Sequence, residues 1–533
     1  MKLDYRKTLY IGLIFFGIAL FWQAYDMMVA RILIDKFGLN QTWSGVIMAL
    51  DNVMAVFLLP LFGWFSDKSN SKIGKRTPYI IVGTVVAAFA FMGLSYADHY
   101  QSLKIEETNL VYMHDDVAFG IDDDIYSQSH WVFVIDSMRF ERQEALSDQS
   151  VTLSDYTLWQ SQILEPMEDL IAESSENLTH REVSLLRDYY YNYLSSRAWQ
   201  LTIRTPIYFS IFSLILFFAL IGMSVYRSPA VALMPDITSK PLRSKANALM
   251  TLMGALGGII AVNIIMFSNV NTQPYGSHTF VFFAVGIIML ITLGIFLWKV
   301  REPLWVAERK ALDQAYDIEH VKKPVTKAEK KMSRARKKSL YFLLASIFLW
   351  FFGYNAVMSK IADYLPKVLN INFSSLPFLF AQLFVIITIV PVGFLTTKIG
   401  RKKSVLLGIA ISSVSITSIV FLNESINYLS AVAIAISGVG WIMINVNSYP
   451  MTVELGRGSS IGKYTGYYYA ASMSAQIFTP VISGYLMDTY TRLILFPYAG
   501  IFVALSFITM LFVKHGDAQG VNIMPLANEI KEG

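Results

Sequence analysis

Apolar residues gather in twelve long runs, most of them separated by short polar segments. A helix needs about 20 mainly apolar residues to cross the hydrocarbon core of a bilayer, and each run reaches roughly that length. The pattern therefore predicts an all-α membrane protein with twelve spanning helices. We place these helices at residues 8–31, 42–66, 78–97, 207–235, 245–268, 278–299, 339–361, 376–397, 403–422, 427–449, 461–486 and 492–513.

Two longer polar stretches interrupt this series, one after the third helix and one after the sixth. The first is acidic, and the second is a basic linker. The predicted organisation is a first bundle segment with helices one to three (1–98), an insertion (99–205), helices four to six (206–299), a cytoplasmic linker (300–338), helices seven to twelve (339–514) and a cytoplasmic tail (515–533).

The composition fits a membrane protein, because 54% of the residues are hydrophobic and only 16% are charged. The insertion carries 19 acidic and 7 basic residues, so the rest of the chain has a net charge of +17. Basic residues mark the cytoplasmic ends of spanning helices. They cluster in loops that share one face if both termini are cytoplasmic. We therefore expect a multi-pass protein of the cell membrane, embedded in the lipid bilayer, with the insertion outside the cell.

The insertion is expected to form a small, mainly helical cap that is not needed for the transport cycle of the core. Thr179 and Glu182 have the spacing of a capping box, in which two residues at a helix start satisfy each other's backbone amides. A helix is therefore predicted to begin at this point and to run toward the fourth span.

Several classes of function are disfavoured by what the sequence lacks. There is no cysteine, so neither a disulfide nor a thiolate metal site can form. A nucleotide-binding Gly-x-x-x-x-Gly-Lys loop is missing, which argues against an ATP-driven pump. No nucleophile–base pair or metal-ligand cluster is recognisable. We expect no enzymatic activity, no cofactor, no metal and no nucleic-acid partner.

A glycine-rich basic turn follows the second helix and recurs after the eighth, which indicates two similar halves. Such repeats are typical of secondary transporters, whose substrate site lies between the halves. The carboxylate of the first turn can pair with cations or with a helix end. Thr397 replaces it in the second turn. These turns and nearby helix ends form a candidate cytoplasmic gate, or a purely topological feature: Gly63, Asp67, Gly74, Lys75, Arg76, Asp236, Arg243, Gly393, Gly400, Arg401 and Glu454.

Three ionisable residues lie inside predicted spans: Asp26, Asp51 and Arg227. Such residues are costly in a membrane and usually face a cavity or one another. A rise of about 1.5 Å per residue places Asp26 and Asp51 at a similar depth. Two close carboxylates do not both ionise readily in a low dielectric, so the pair is a candidate proton site. A sodium site made from the same carboxylates is the second interpretation. In the purely structural alternative, Asp26 or Asp51 only pairs with Arg227 or caps a loop.

Amide and aromatic side chains elsewhere in the spans suit a sugar, which offers hydroxyl groups and apolar ring faces. Ordinary helix packing is the alternative for each of them. The candidates are Gln23, Asn52, Asn263, Tyr354, Asn355, Gln382, Trp441 and Asn445.

The two turns resemble the signature of the major facilitator superfamily. The sequence from Gly74 to Pro78 is similar to that of the sugar:cation symporters in this superfamily. Residues 226–236 resemble the R-x-P-x-x-A-L-x-x-D pattern of sucrose-type transporters and the glycoside–pentoside–hexuronide group. The segment that starts at Gly222 can also be laid on the one that starts at Gly440, as expected for repeated halves.

The resemblance implies two six-helix bundles and a monomeric secondary transporter that carries a sugar or glycoside together with a proton. Sodium coupling, export of drugs or metabolites, and a sensor that no longer transports are the alternatives.

Overall fold

The computed structural model describes residues 3–110, 123–239, 242–268, 270, 273–315, 334–372, 375–455 and 461–515. These residues are almost entirely helical. The β-type pairing among them is an isolated bridge between Ser127 and Asn177.

Six long helices form the N-terminal half and six form the C-terminal half of the described chain. The N-terminal half contains α1 (Tyr5–Arg31), α2 (Gln41–Lys68), α3 (Thr77–Glu106), α8 (Ile207–Ile237), α9 (Arg243–Met266) and α10 (Thr279–Lys299). The insertion contributes α4 (Gln128–Ser147), α5 (Leu153–Trp159), α6 (Glu165–Glu173) and α7 (His180–Arg204), and α11 (Glu302–Ala315) follows the first half. The C-terminal half contains α12 (Arg334–Val368), α13 (Leu376–Ile399), α14 (Arg401–Ser418), α15 (Leu429–Glu454), α16 (Ile461–Thr489) and α17 (Leu495–Leu511).

Ten of these described helices are long and apolar enough to cross a membrane. The other two long helices are α13, whose apolar stretch Leu376–Ile389 is shorter, and α16. Polar residues such as Gln476 lower the hydropathy of α16. The prediction of twelve helices is thus confirmed in number, while ten of them meet the length and hydropathy of a span.

Each half has its own apolar core, and the two cores repeat the same close helix contacts. A Cβ atom added at Gly222 would lie 2.6 Å from the backbone nitrogen of Ala87, so α8 packs tightly on α3. At Gly440 it would lie 2.6 Å from the carbonyl oxygen of Gly408, so α15 packs tightly on α14. These equivalent contacts agree with the alignment of Gly222 with Gly440.

The insertion has a third apolar core, which includes Trp131, Met167 and Leu186. Its mainly helical character is as predicted. The Thr179 hydroxyl accepts from the Glu182 backbone amide, and the Glu182 carboxylate accepts from the Thr179 amide at 2.7 Å, which confirms the capping box. The third helix ends at Glu106 rather than near residue 97, because its polar last turns continue into the insertion. We call this end of the bundle the insertion side, and the end next to α11 the linker side.

Candidate functional site

A cavity of about 680 Å³ lies between the two halves. Helices α1, α2, α8 and α9 line it from the N-terminal half, and α12, α13, α15 and α16 line it from the C-terminal half. Small-molecule sites typically occupy about 300–1,000 Å³ and combine an apolar wall with a few polar groups. The cavity therefore has the size and position expected of a substrate site.

The three ionisable residues predicted inside the spans all line this cavity: Asp26 on α1, Asp51 on α2 and Arg227 on α8. The carboxylates of Asp26 and Asp51 are close enough to repel each other, and the Arg227 guanidinium attracts that of Asp51. The Asn52 side-chain amide donates to Asp51 Oδ1 at 2.6 Å. The cavity wall thus holds two acids that interact with each other and one base that interacts with Asp51.

Five of the predicted amide and aromatic residues also line the cavity. Tyr354 presents an aromatic ring that stacks on Trp441, with ring centroids 3.9 Å apart and planes 7° from parallel. Trp441 was also predicted to line the cavity, but it is not among the lining residues and contacts the site through its stacking on Tyr354. The five lining residues are Gln23, Asn52, Tyr354, Asn355 and Gln382.

Asn263 and Asn445 do not line the cavity, contrary to their proposed place in its wall. Asn263 donates to the carbonyl of Ile259 at 2.8 Å, one turn earlier on α9. Asn445 donates to the carbonyl of Trp441 at 3.1 Å and accepts from the Tyr468 hydroxyl at 3.5 Å. Both amides are used in helix packing, which was the alternative interpretation.

Other lining residues were not singled out from the sequence. Gln476 on α16, Ser359 on α12 and Trp22 on α1 add polar atoms, and Met27, Met48 and Met358 add adaptable apolar surface. Gln476 could have been found as a lone amide between apolar residues of one span. The methionines carry no such signal.

The first glycine-rich turn forms a charge cluster on the linker side. Arg76 makes an ion pair with Asp67, donates from Nε to Asp236 at 2.9 Å and donates from Nη1 to Ser66 at 2.6 Å. Burial lowers the pKa of the Arg76 guanidinium, but its contacts with Asp236 and Asp67 outweigh this effect and raise the pKa. The structure thus joins α2, α3 and α8 through one arginine, whereas the Lys75 side chain is exposed.

Gly74 and Gly63 allow close approach at this turn. Gly74 has a φ of +124°, and a Cβ atom there would lie 2.1 Å from a Glu302 carboxylate oxygen. That carboxylate accepts from the backbone amides of residues 75–77 and caps α3. At Gly63, a Cβ atom would lie 2.9 Å from the Ser228 hydroxyl. Arg243 donates to the carbonyl of Pro235 at 2.8 Å, beside Asp236.

The second turn is described only in part. Gly400 has a φ of +87° and ends α13, and Arg401 begins α14. The side-chain surroundings of positions 393, 397 and 454 lie outside the described part of the chain. The roles predicted for Gly393 and Glu454 therefore stay predictions.

A set of hydrogen bonds joins the two halves on the insertion side. Gln41 Nε2 donates to Asp363 at 2.6 Å, and Lys360 donates to the Gln41 carbonyl at 2.6 Å. Asp488 accepts from the backbone amides of Gln41 and Thr42, each at 2.8 Å. The start of α2 is thereby fastened to α12 and α16, which closes the halves together at this end.

Comparison with known sequences places the chain in a family. The sequence model of the Major Facilitator Superfamily matches residues 198–480 and, again, residues 373–525. The first match alone covers more than half of the chain. The chain belongs to the Major Facilitator Superfamily. A further model, described as MFS/sugar transport protein, matches residues 10–111. The protein is therefore a multi-pass membrane transporter, and the predicted family is confirmed.

Short segments of this superfamily member are similar to curated sugar transporters. Over 96 residues it is 28% identical to Sucrose transport protein SUC4 of Arabidopsis thaliana, which covers 18% of this chain and 19% of that protein. Over 92 residues it is 31% identical to Proton-associated sugar transporter A of Homo sapiens, which covers 17% of this chain and 12% of that protein. The matched segments span less than a fifth of either relative.

Solved structures of other transporters share the fold over nearly the whole chain. The inward open xylose transporter XylE from E. coli has a TM-score of 0.55 at 13% identity, with 96% of each chain covered. A mutant of the peptide transporter POT in complex with alafosfalin has a TM-score of 0.58 at 9% identity, with 96% of this chain and 95% of that chain covered. At these identities the likeness concerns the fold alone.

Proposed function

We propose that this protein is a proton-coupled symporter of a sugar or glycoside that works by alternating access. The observation that carries the proposal is the cavity between the halves, which combines Asp26 and Asp51 with an aromatic and amide wall. Alternating access moves one half against the other around such a central site.

The coupling rests on the acid pair. Because the two carboxylates repel each other in a cavity of low dielectric, binding of a proton relieves the repulsion. Arg227 attracts the Asp51 carboxylate, so Asp26 is the better candidate to hold the proton. Loss of the proton restores the charge, and substrate that binds only the protonated cavity is thereby coupled to the proton gradient.

The substrate class rests on the cavity wall. The Tyr354 ring stacks parallel to the Trp441 ring and can pack against the apolar face of a sugar ring. Asn52, Asn355 and Gln476 each donate one amide hydrogen bond within the protein, so a second N–H and the carbonyl oxygen of each can serve hydroxyl groups. The Gln382 amide also lines the cavity. The names of two similar proteins, a sucrose transporter and a proton-associated sugar transporter, favour the same class.

The orientation follows from charge. The linker side carries the basic segments, including residues 68–76 and 398–403, and is proposed to face the cytoplasm. The acidic insertion then lies outside the cell, and both termini lie inside. We propose that the protein acts as a monomer, because one chain supplies both halves of the cavity.

Transport into proteoliposomes tests the proposal. A pH gradient, acidic outside, should drive accumulation of radiolabelled sucrose, maltose or an aryl glucoside. Asp26→Asn and Asp51→Asn should each lower this accumulation by about tenfold or more, as expected when a coupling group is lost. Asp169→Asn, at an exposed acid of the insertion, should leave it unchanged. Accumulation driven by a sodium gradient but not by pH would refute proton coupling, and unchanged uptake in both variants would refute the site.

A further inference from the structure

Helix α7 of the insertion contacts the C-terminal half across the gap between the halves. Asp188 Oδ1 accepts from Arg492 Nη1 at 2.5 Å, and its Oδ2 accepts from the Arg492 backbone amide at 3.2 Å. One turn later, Asn192 accepts from the same guanidinium at 2.8 Å. Two successive turns of α7 thus hold one arginine that lies just before α17.

Further contacts on α7 extend this junction. Arg187 makes an ion pair with Glu424, which lies between α14 and α15. The ring of Tyr191 lies 5.4 Å from the ammonium group of Lys367 on α12. Four side chains of α7 therefore reach three separate segments of the C-terminal half.

The charges of this junction are withdrawn from water. Arg492 and Arg187 are each 1% exposed, and Asp188 is 2% exposed. Arg492 also donates from Nε to Asp363 at 2.9 Å, which links the junction to the contacts around Gln41. Ionised groups in such surroundings must keep a partner, because an unpaired buried charge is strongly unfavourable.

Helix α7 belongs to the N-terminal half by its other contacts. It ends at Arg204, just before α8. The Gln101 amide on α3 donates to the Thr202 hydroxyl at 3.2 Å. A Cβ atom added at Gly38 would lie 2.1 Å from the backbone nitrogen of Trp199, so the α1–α2 connection packs directly on α7. When the halves separate on the insertion side, α7 must therefore move with α3 and leave Arg492.

We propose that α7 is a strap that holds the insertion side closed, and that release of Arg492 from Asp188 and Asn192 is a step in opening. The strap sets the balance between the two access states, so loss of its ion pairs shifts the protein toward opening on the insertion side. The inference requires only that the halves separate at this end, not a particular substrate or coupling ion. It runs counter to the sequence-based expectation that the insertion is not needed for the core cycle.

The test uses the absence of native cysteine. Spin labels on Phe267→Cys and Phe421→Cys report the distance between the halves, because both positions are exposed at the insertion side and lie outside the strap. Asp188→Asn and Glu424→Gln each break one ion pair of the strap. Arg492 is left intact because it also holds Asp363. Glu141→Gln is the matched control, since it breaks the Glu141–Arg197 pair inside the insertion.

Asp188→Asn and Glu424→Gln should raise the ratio of the long-distance to the short-distance population by about threefold or more, and Glu141→Gln should not change it. The thermal unfolding midpoint of each variant reports whether it is folded. If Asp188→Asn does not fold, the Glu424→Gln variant alone tests the proposal. Glu424 is partly exposed, so its substitution is less disruptive to folding. The proposal is overturned if the folded strap variants keep the wild-type distribution, or if Glu141→Gln shifts it equally. The distance measurement uses neither substrate nor gradient, so its result does not depend on whether the protein is a symporter.

Discussion

Asp35 accepts a hydrogen bond from Lys367 at 2.6 Å, and this contact joins the end of the first helix to α12 across the two halves. Lys367 also donates to Asp363, one turn earlier on its own helix, at 2.5 Å. The neighbouring residue Lys36 faces the other way and is paired with Asp98 on α3. The wide turn formed by Ile32–Lys36 thus places one charge at the interface and the next inside its own half.

This division predicts two different effects for adjacent residues. Asp35→Asn removes a contact between the halves while Lys367 keeps Asp363, so it should favour opening on the insertion side with a small loss of stability. Lys36→Met leaves the fully buried Asp98 carboxylate without its cation and should cost about 3–5 kcal/mol of unfolding free energy. Thermal unfolding measures the loss of stability, and the distance between labels at positions 267 and 421 measures opening on the insertion side. Equal destabilisation by the two variants would contradict the division.

The linker-side turn predicts that Asp67 matters more for switching than its counterpart Thr397. Asp67 pairs with Arg76, which also binds Asp236, so Asp67→Asn weakens a junction of three helices. It should slow transport and favour opening on the linker side, whereas Thr397→Val should have a much smaller effect. Transport rate and the thiol accessibility of single cysteines on each side are the measurements. Equal defects, or none in Asp67→Asn, would leave the turn a topological feature.

The burial of His278 predicts that the folded protein loses stability as the pH falls. Burial and the nearby Lys36 lower the pKa of His278 to about 4, although Asp98 opposes them. The Lys36 ammonium lies 2.5 Å from the Nδ1 atom of His278, and Asp98 Oδ1 lies 3.2 Å from the same nitrogen. Below about pH 6.5 the unfolded chain binds a proton that the folded chain does not bind. Stability from this group is complete above that pH and falls toward pH 4, by at most about 1.4 kcal/mol per pH unit.

The measurement is the thermal unfolding midpoint in detergent between pH 7.5 and pH 4.5. His278→Gln should show a shallower decline than the wild type, because its amide does not titrate. His180→Gln is the control, since His180 is exposed and contacts Tyr126 in the insertion. A decline in His278→Gln as steep as that of the wild type would assign the pH dependence to other groups.

The sequence predicted the helices and the cavity acids because both depend on strong local rules. Apolar runs of membrane length mark helices, and a carboxylate inside such a run must face a polar space, so Asp26 and Asp51 could be singled out. Asp188 and Arg492 could not be paired in this way. They lie about 300 residues apart, Asp188 within the polar helix α7 and Arg492 just before α17. Charged residues are ordinary in such polar segments, and only the packing of α7 on the C-terminal half buries these two. Asn263 and Asn445 were wrongly predicted to line the cavity, because the sequence of a helix that is apolar on most sides does not show which face meets the cavity.

The proposed orientation can be tested with single cysteines on the two sides of the bundle. Phe133 on α4 is 72% exposed in the insertion, and Lys310 on α11 is exposed on the linker side. If the insertion lies outside, a membrane-impermeant thiol reagent should label Phe133→Cys on intact cells and label Lys310→Cys only after lysis. The cysteine-free parent supplies the background signal. The reverse pattern would place the basic segments outside, contrary to the charge rule, and would also reverse which access state the α7 strap closes.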